Sequence, residues 1–265
     1  MRVLITGAGR AIGAAAAAEL SAAGHQVIAT ARDTRLLAGL NVTDRLRLDV
    51  TDEESIRSTL ERAGDLDAIV NNAAISGKGP LESYPVERLR AMLETNTIGP
   101  LRLLQGVLPR WRSRGSGVVV NVSSVQGRVA TPLEGPYSAS KSALESLSET
   151  LHYELGHFGI RVAIIEPGYI APGMKAAGDL AELAGDDAYR QLWDEWDGAD
   201  GKLTGARGRP GPEVVAKAIR AAIEDPSTPL RVPVGEDAVT VLSARDALDD
   251  AAFEAAMRQT LGMTW

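Results

Sequence analysis

Tyr137 and Lys141 stand four residues apart in the stretch Gly135-Pro136-Tyr137-Ser138-Ala139-Ser140-Lys141, and the segment that follows, Ser142 to Leu155, reads as a helix. A four-residue step on a helix places both side chains on one face, one turn apart. An ammonium beside a phenol favours phenolate, so Lys141 is expected to lower the tyrosine pKa from its reference of about 10. A tyrosine tuned in this way passes a proton near neutral pH. By itself the pair has a plainer reading, a solvated helix face, and its chemistry depends on what the rest of the chain brings to it.

Four other stretches have residue types suited to a nucleotide or a carbonyl. The first is Thr6-Gly7-Ala8-Gly9-Arg10-Ala11-Ile12-Gly13, a glycine turn between an apolar strand and a helix. Gly7 and Gly13 let phosphate oxygens approach the backbone, and a helix start favours a pyrophosphate. The spacing departs from G-x-G-x-x-G, because position 12 is Ile and the glycine follows it. The second is Ala31-Arg32-Asp33, where an acid would bind the adenosine ribose. Arg32 and Arg10 instead suit a 2′-phosphate, which favours NADP(H) over NAD(H), while Asp33 keeps the ribose reading open. The third comprises Asp49-Val50 and Asn71-Asn72-Ala73-Ala74, which follow two strands at the edge where open α/β sheets bind ligands. Small residues there let a cofactor lie against the backbone; strand-end turn chemistry is the simpler alternative. The fourth is Ser123-Ser124, thirteen residues before Tyr137, where a hydroxyl would meet a substrate oxygen.

The elements that must hold these residues alternate. Apolar runs at Val3–Ile5, Val27–Thr30, Leu46–Leu48, Ala68–Val70, Val118–Val122, Arg161–Ile165 and Leu230–Val234 read as strands, the last an edge because of Pro233. Helices are expected from Ala11 to Ala23, after Thr51, from Val86 to about Arg114 with a break at Gly99-Pro100, from Pro136 to Phe158 and from Val214 to Ile223. Continuous apolar strands between helices mean an α/β fold with a mostly parallel sheet covered on both faces. With no linker or repeat, residues 1–265 read as one domain. The stretch 171–211 is the least patterned and reads as a substrate loop, or as a short surface helix buried by Trp193 and Trp196.

Composition narrows the function classes. The net charge of −7 argues against nucleic acid, and the absence of cysteine excludes disulfides and thiol catalysis. His25, His152 and His157 are not spaced as a metal site, so no metal is expected. Arg2 to Gly7 runs directly into a strand rather than a signal peptide, and no apolar run approaches ~20 residues, so a cytoplasmic protein without a membrane partner is expected.

Taken together, Thr6-Gly7-x-x-x-Ala11-x-Gly13, Asn71-Asn72-Ala73-Ala74, Asn96, Ser124, Tyr137-x-x-x-Lys141 and Pro167-Gly168 resemble the short-chain dehydrogenase/reductase family over nearly the whole chain. The resemblance implies a Rossmann-type doubly wound domain with a seven-stranded sheet. It makes Tyr137 the general acid or base, Lys141 its partner and the holder of the nicotinamide ribose, and Ser124 the orienter of the substrate oxygen. Asn96 would support a water chain to Lys141. Arg10, Ile12, Arg32, Asp49, Val50 and Asn72 match positions that contact the adenosine and phosphate half. Two departures stand out: Ala11 replaces a glycine, and Pro172 stands where the family often has a cofactor-binding threonine, leaving the Ile170 amide for the nicotinamide end.

The segment from Glu213 to Gly235 is similar to a bacterial branch like 17β-hydroxysteroid and retinol dehydrogenases. The implied activity is interconversion of a ketone and a secondary alcohol with the NADP(H) that Arg32 favours, by a homodimer or homotetramer, and Ile75, Val125, Val129, Leu133, Trp193 and Trp196 in the expected pocket segments point to a small, moderately apolar substrate. An epimerase, dehydratase or rearrangement enzyme on the same scaffold is the alternative, and a cofactor-sensing regulatory protein a more distant one.

Overall fold

The computed structural model describes residues 1–174, 187–197, 199–204 and 208–264. Seven strands form one sheet: β1 (Arg2–Ile5), β2 (Gln26–Ala31), β3 (Asp44–Arg47), β4 (Ala68–Asn71), β5 (Gly117–Val122), β6 (Ile160–Pro167) and β7 (Arg231–Val234). Their order is β3-β2-β1-β4-β5-β6-β7, and every pairing is parallel. Pro233 lies in the edge strand β7, where a missing N–H costs no central ladder bond.

Residue alternation within the strands sorts the core into two layers. Val3 and Ile5 of β1 face helices α1 (Ala11–Ala22) and α8 (Glu213–Glu224), packing with Leu20, Val215 and Ile219. Leu4, between them, faces the opposite layer, built by α2 (Glu53–Ala63), α4 (Gly99–Arg114) and α5 (Gly135–Gly156). Each fully buried Leu or Ile contributes roughly 1.5–3 kcal/mol by leaving water. The alanines of α1 allow it to lie close to α8.

The expected helical stretch from Val86 is α3 (Val86–Leu93), a wide π turn at Glu94–Ile98, and then α4. The chain does not break at Gly99-Pro100. Pro100 has no N–H to offer the carbonyl four residues back, and Gly99 N–H bonds Glu94 O five residues back instead. The third strand lies earlier than Leu46–Leu48, since Asp44 to Arg47 pair with Ile28 to Ala31.

Beyond β7 the structure has α9 (Glu236–Ala247) and α10 (Asp250–Leu261), which the sequence reading left unassigned. They cap the stretch after β5: Val129 packs with Val241 and Leu242, and Leu133 with Trp196 and Leu261. Trp196 is thereby buried within α6 (Arg190–Asp197). Part of the expected substrate loop, residues 175–186, 198 and 205–207, lies outside the described residues. Among the described residues, no helix is long and apolar enough to cross a membrane, and no group of three His, Asp or Glu is placed to hold a metal ion.

Candidate active site

The strand order reverses between β1 and β4, and the loops after these strands form a cradle. Thr6 joins them: its hydroxyl accepts the N–H groups of Asn72 and Ala73, both at 2.9 Å. The Asn72 amide donates back to Thr6 O at 2.9 Å and Gly7 O at 3.2 Å. Gly7 has φ +65°, and a Cβ on Gly13 would stand 2.3 Å from the Gly7 carbonyl oxygen, so the loop needs glycine at both positions. Ala11, where the family often has glycine, takes φ 42°. Ile12 packs against the core layer on the α1 side, and Arg10 stands exposed at the N-cap of α1. A cradle this close to a helix start is shaped for a pyrophosphate.

At the adenosine end, Asp33 caps the turn Thr34–Leu37 and accepts the Arg35 side chain at 2.9 Å and 2.8 Å. The bonds from Arg35 hold the Asp33 carboxyl below the usual carboxylate range, and the Arg10 charge adds to the effect. Asp33 is therefore engaged by a neighbouring guanidinium. Arg32 stands exposed, and its charge acts on Asp49. Burial pushes the Asp49 carboxyl up, but hydrogen bonds from Thr51 and the charges of Arg32 and Arg47 outweigh it, leaving the group below its ordinary value. Val50 is buried beside it. Arg10, Arg32 and Arg35 give this corner a positive field. The sequence reading did not include Arg35, whose signal was its spacing from Asp33.

The four expected catalytic residues come from three elements. Ser124 caps the turn after β5, accepting the Gln126 N–H at 3.2 Å, and its hydroxyl is the one neighbour that favours the charged form of the Tyr137 phenol. Tyr137 and Lys141 lie on α5, and both are buried. Asn96 lies in the π turn; its amide donates to Ile75 O at 2.8 Å and Ser140 Oγ at 2.9 Å and accepts the Ile75 N–H at 2.8 Å. The structure thus brings Asn96 to the residue before Lys141.

The expected lowering of the tyrosine pKa is not what this arrangement produces. Burial raises the Tyr137 pKa, the Glu134 carboxylate raises it further, and only the Ser124 hydroxyl lowers it. Lys141 Nζ lies 5.7 Å from the ring centroid and donates to the Val122 carbonyl at 2.7 Å. The ammonium is turned to the strand end rather than to the phenol oxygen. Burial lowers the Lys141 pKa to about 8, while the charge of Glu145 works to raise it.

Pro167 and Gly168 end β6, with Gly168 N–H on Val234 O at 3.0 Å. Asp237, at the start of α9, accepts the Tyr169 N–H at 2.7 Å, and a Cβ on Gly168 would meet its carboxylate at 2.1 Å. Asp237 thus fixes the turn that leads to Ile170, which is buried in the α1-side core. It escaped the sequence reading because acids in a first helical turn are common caps. On the opposite side of the site, Tyr84, Met92 and Ile75 pack with Tyr137, making an apolar wall beside the phenol.

A model of the short chain dehydrogenase family matches residues 1–182. The uncharacterized oxidoreductase YusZ of Bacillus subtilis is 34% identical over 97% of this chain and 97% of its own. A short-chain dehydrogenase from Streptomyces avermitilis superposes with a TM-score of 0.76 at 35% identity, covering 98% of this chain and 97% of that one. A short chain dehydrogenase from Burkholderia cenocepacia, solved in complex with NADP, gives a TM-score of 0.76 at 27% identity over 96% of each chain. The chain belongs to the short-chain dehydrogenase family and is an NAD(P)-dependent oxidoreductase.

Proposed function

We propose that this protein interconverts a ketone and a secondary alcohol on a small, moderately apolar molecule with NADP(H), working as a ketoreductase. The observation that carries the reading is the buried Tyr137 phenol with Lys141 buried one turn along the same helix, the Ser124 hydroxyl acting on the phenol, and a glycine cradle at the same sheet edge.

Gly7 and Gly13 leave room for the pyrophosphate, and Asn72, Ala73 and Ala74 form the wall against which the dinucleotide lies. Asp49 and Val50 flank its adenosine, and Arg10, Ile12 and Arg32 hold the phosphate side. Arg32 with Arg10 favours the 2′-phosphate, and the capture of Asp33 by Arg35 supports this, since it removes the acid that would have served a ribose. Pro167, Gly168 and the Ile170 amide serve the nicotinamide end, with Pro172 offering neither a hydroxyl nor an N–H. When bound, the dinucleotide supplies or accepts the hydride.

The chain's own residues manage the proton. Ser124 orients the substrate oxygen, and Tyr137 gives it a proton during reduction or removes one during oxidation. Lys141 holds the ribose and steadies phenolate charge as it develops. Asn96 fixes the segment after β4 against α5 and supports the path by which Lys141 is resupplied. The apolar wall at Ile75, Tyr84 and Met92 favours an apolar substrate. Residues 1–265 act as one domain, and the helices α4 and α5 pair the chain into a homodimer or homotetramer.

A panel of carbonyl substrates assayed in parallel with NADPH and NADH tests the reading. Net NADPH oxidation on ketones, with deuterium passing from labelled NADPH into product, supports it. Turnover without net cofactor oxidation would favour an epimerase, dehydratase or rearrangement enzyme. Cofactor binding with no turnover would favour a sensor.

A further inference from the structure

The face of α5 that carries Tyr137 and Lys141 continues, one turn at a time, to Glu145 and Glu149. The Glu145 side chain is 5% exposed, and that of Glu166, on β6, is 0%. Both carboxylates meet one guanidinium. Arg231 Nε lies 3.1 Å from Glu145 Oε2 and 4.0 Å from Glu166 Oε1, and its Nη2 donates to Glu149 Oε2 at 3.0 Å. From the turn after β5, Arg128 Nε stands 3.9 Å from Glu166 Oε1, while Arg128 also pairs with Asp246 of α9. Among the described residues, neither oxygen of Glu166 accepts a hydrogen bond, and Glu145 Oε1 accepts none of good geometry.

Burial and mutual repulsion disfavour full ionisation of both carboxylates, against the pull of Arg231 and Arg128. Placing one proton between them removes the repulsion. It also turns an acceptor-only group into one able to donate, beside oxygens that lack a donor. We propose that Glu145 and Glu166 form one proton-sharing carboxyl pair that keeps a negative charge behind Lys141, and that this positioning pair sets the pH range over which Lys141 stays an ammonium. The proposal rests on the roles given above to Tyr137 and Lys141.

Burial raises both carboxyls, Glu166 to about 7. The charges of Glu145 and Asp246 push it up, and those of Arg128 and Arg231 pull it down. Glu145 is pulled back by Ser123, Arg231 and Arg128. Lys141 is the remaining charged neighbour on α5, and the Glu145 charge raises its pKa against burial.

Two measurements on the full chain, neither of which needs turnover, test the pair. An infrared titration of the wild type should show a protonated-carboxyl band at about pH 6 that fades through about pH 7 and is missing in Glu166→Gln, a variant with the shape of the protonated acid. A wild type without that band overturns the shared proton. The second measurement uses the small number of lysines in the chain, Lys78, Lys141, Lys175, Lys202 and Lys217, which makes a 13C-lysine NMR titration assignable. Glu145→Gln should lower the Lys141 midpoint by about one unit, and Glu145→Asp should restore it. An unmoved midpoint overturns the coupling.

In the NADPH assay, the alkaline limb of the kcat/KM profile should fall in step with that midpoint. If no ketone is turned over by the wild type while both spectroscopic results hold, the ketoreductase reading fails and the carboxyl pair stands.

Discussion

Tyr137 is buried under an apolar wall with only the Ser124 hydroxyl to favour its charged form, so the phenol rests protonated and suited to giving a proton to a substrate oxygen. Tyr137→Phe removes that proton and little else. We expect kcat to fall by about 10²- to 10⁴-fold while NADPH binding, followed by fluorescence titration, is unchanged. Retained activity would refute the role. Lys141→Ala should damage both turnover and cofactor binding, because the ammonium serves both. At the adenosine corner, Arg32→Ala and Arg35→Ala each remove one charge from an exposed cluster. Arg32→Ala should weaken NADPH by about tenfold, the equivalent of about 1.4 kcal/mol, and leave NADH nearly unchanged, whereas Arg35→Ala, which also frees Asp33 for a ribose, should weaken NADPH and tighten NADH. Equal losses for the two dinucleotides would sink the phosphate argument. Tyr137, Lys141, Ser124 and Arg32 are legible in the sequence because each is a chemical type at a fixed distance from a motif. The direction of the Tyr137 shift is not legible, since burial and the turn of Lys141 toward Val122 are properties of the packed chain.

The loop between β1 and α1 works as a unit, because its glycines, Thr6 and Asn72 are bonded to one another. Gly13→Ala would drive a methyl to 2.3 Å from the Gly7 carbonyl, and backbone cannot yield there cheaply. We expect at least a tenfold loss of dinucleotide affinity, about 1.4 kcal/mol, with circular dichroism of the fold retained. Gly39→Ala, where an added Cβ meets nothing within 4 Å, is the control and should bind normally. Ala11 sits at φ 42° and is exposed, so Ala11→Val tests backbone strain alone. A β-branched residue there should lower the urea midpoint relative to alanine, because crowding at Cβ is worst in this backbone region. The glycine turn was readable from its position between an apolar strand and an alanine-rich helix. The π turn at Glu94–Ile98 was not. Its cause, the missing N–H of Pro100, leaves open in the sequence whether the helix breaks or widens, and the packing of Asn96 and Thr97 on Ser140 accompanies the widened form.

Across the whole molecule, stability should carry the signature of the buried carboxyl on β6. Burial, then the charge of Glu145, raises the Glu166 pKa from 4.5 to about 7. The folded chain keeps this proton between those values while the unfolded chain releases it. Its stabilising share is therefore complete below about pH 4.5 and is lost as pH rises through about 7. The expected span is on the order of 3 kcal/mol, and it belongs to the Glu145–Glu166 pair rather than to one residue. Thermal unfolding of the wild type and Glu166→Gln across this window checks it. The difference between them should shrink as pH falls, and a constant difference would refute the linkage. The same scale decides the substrate side. Helices α9 and α10 close over Val129, Leu133 and Trp196, a packing between distant parts of the chain that no local pattern announces.

The sequence alone determined the alternation of apolar strands and helices, the glycine cradle and the Tyr137-Lys141 spacing, because each is set by local periodicity or by a residue type the backbone requires. The tertiary structure decided which charges meet. Arg35 takes Asp33, Asp237 locks the turn after β6, and Glu145 and Glu166 converge on Arg231. Those pairings join residues on separate elements, and their energies arise only when parallel strands bring the ends of those elements to one edge and exclude water from them.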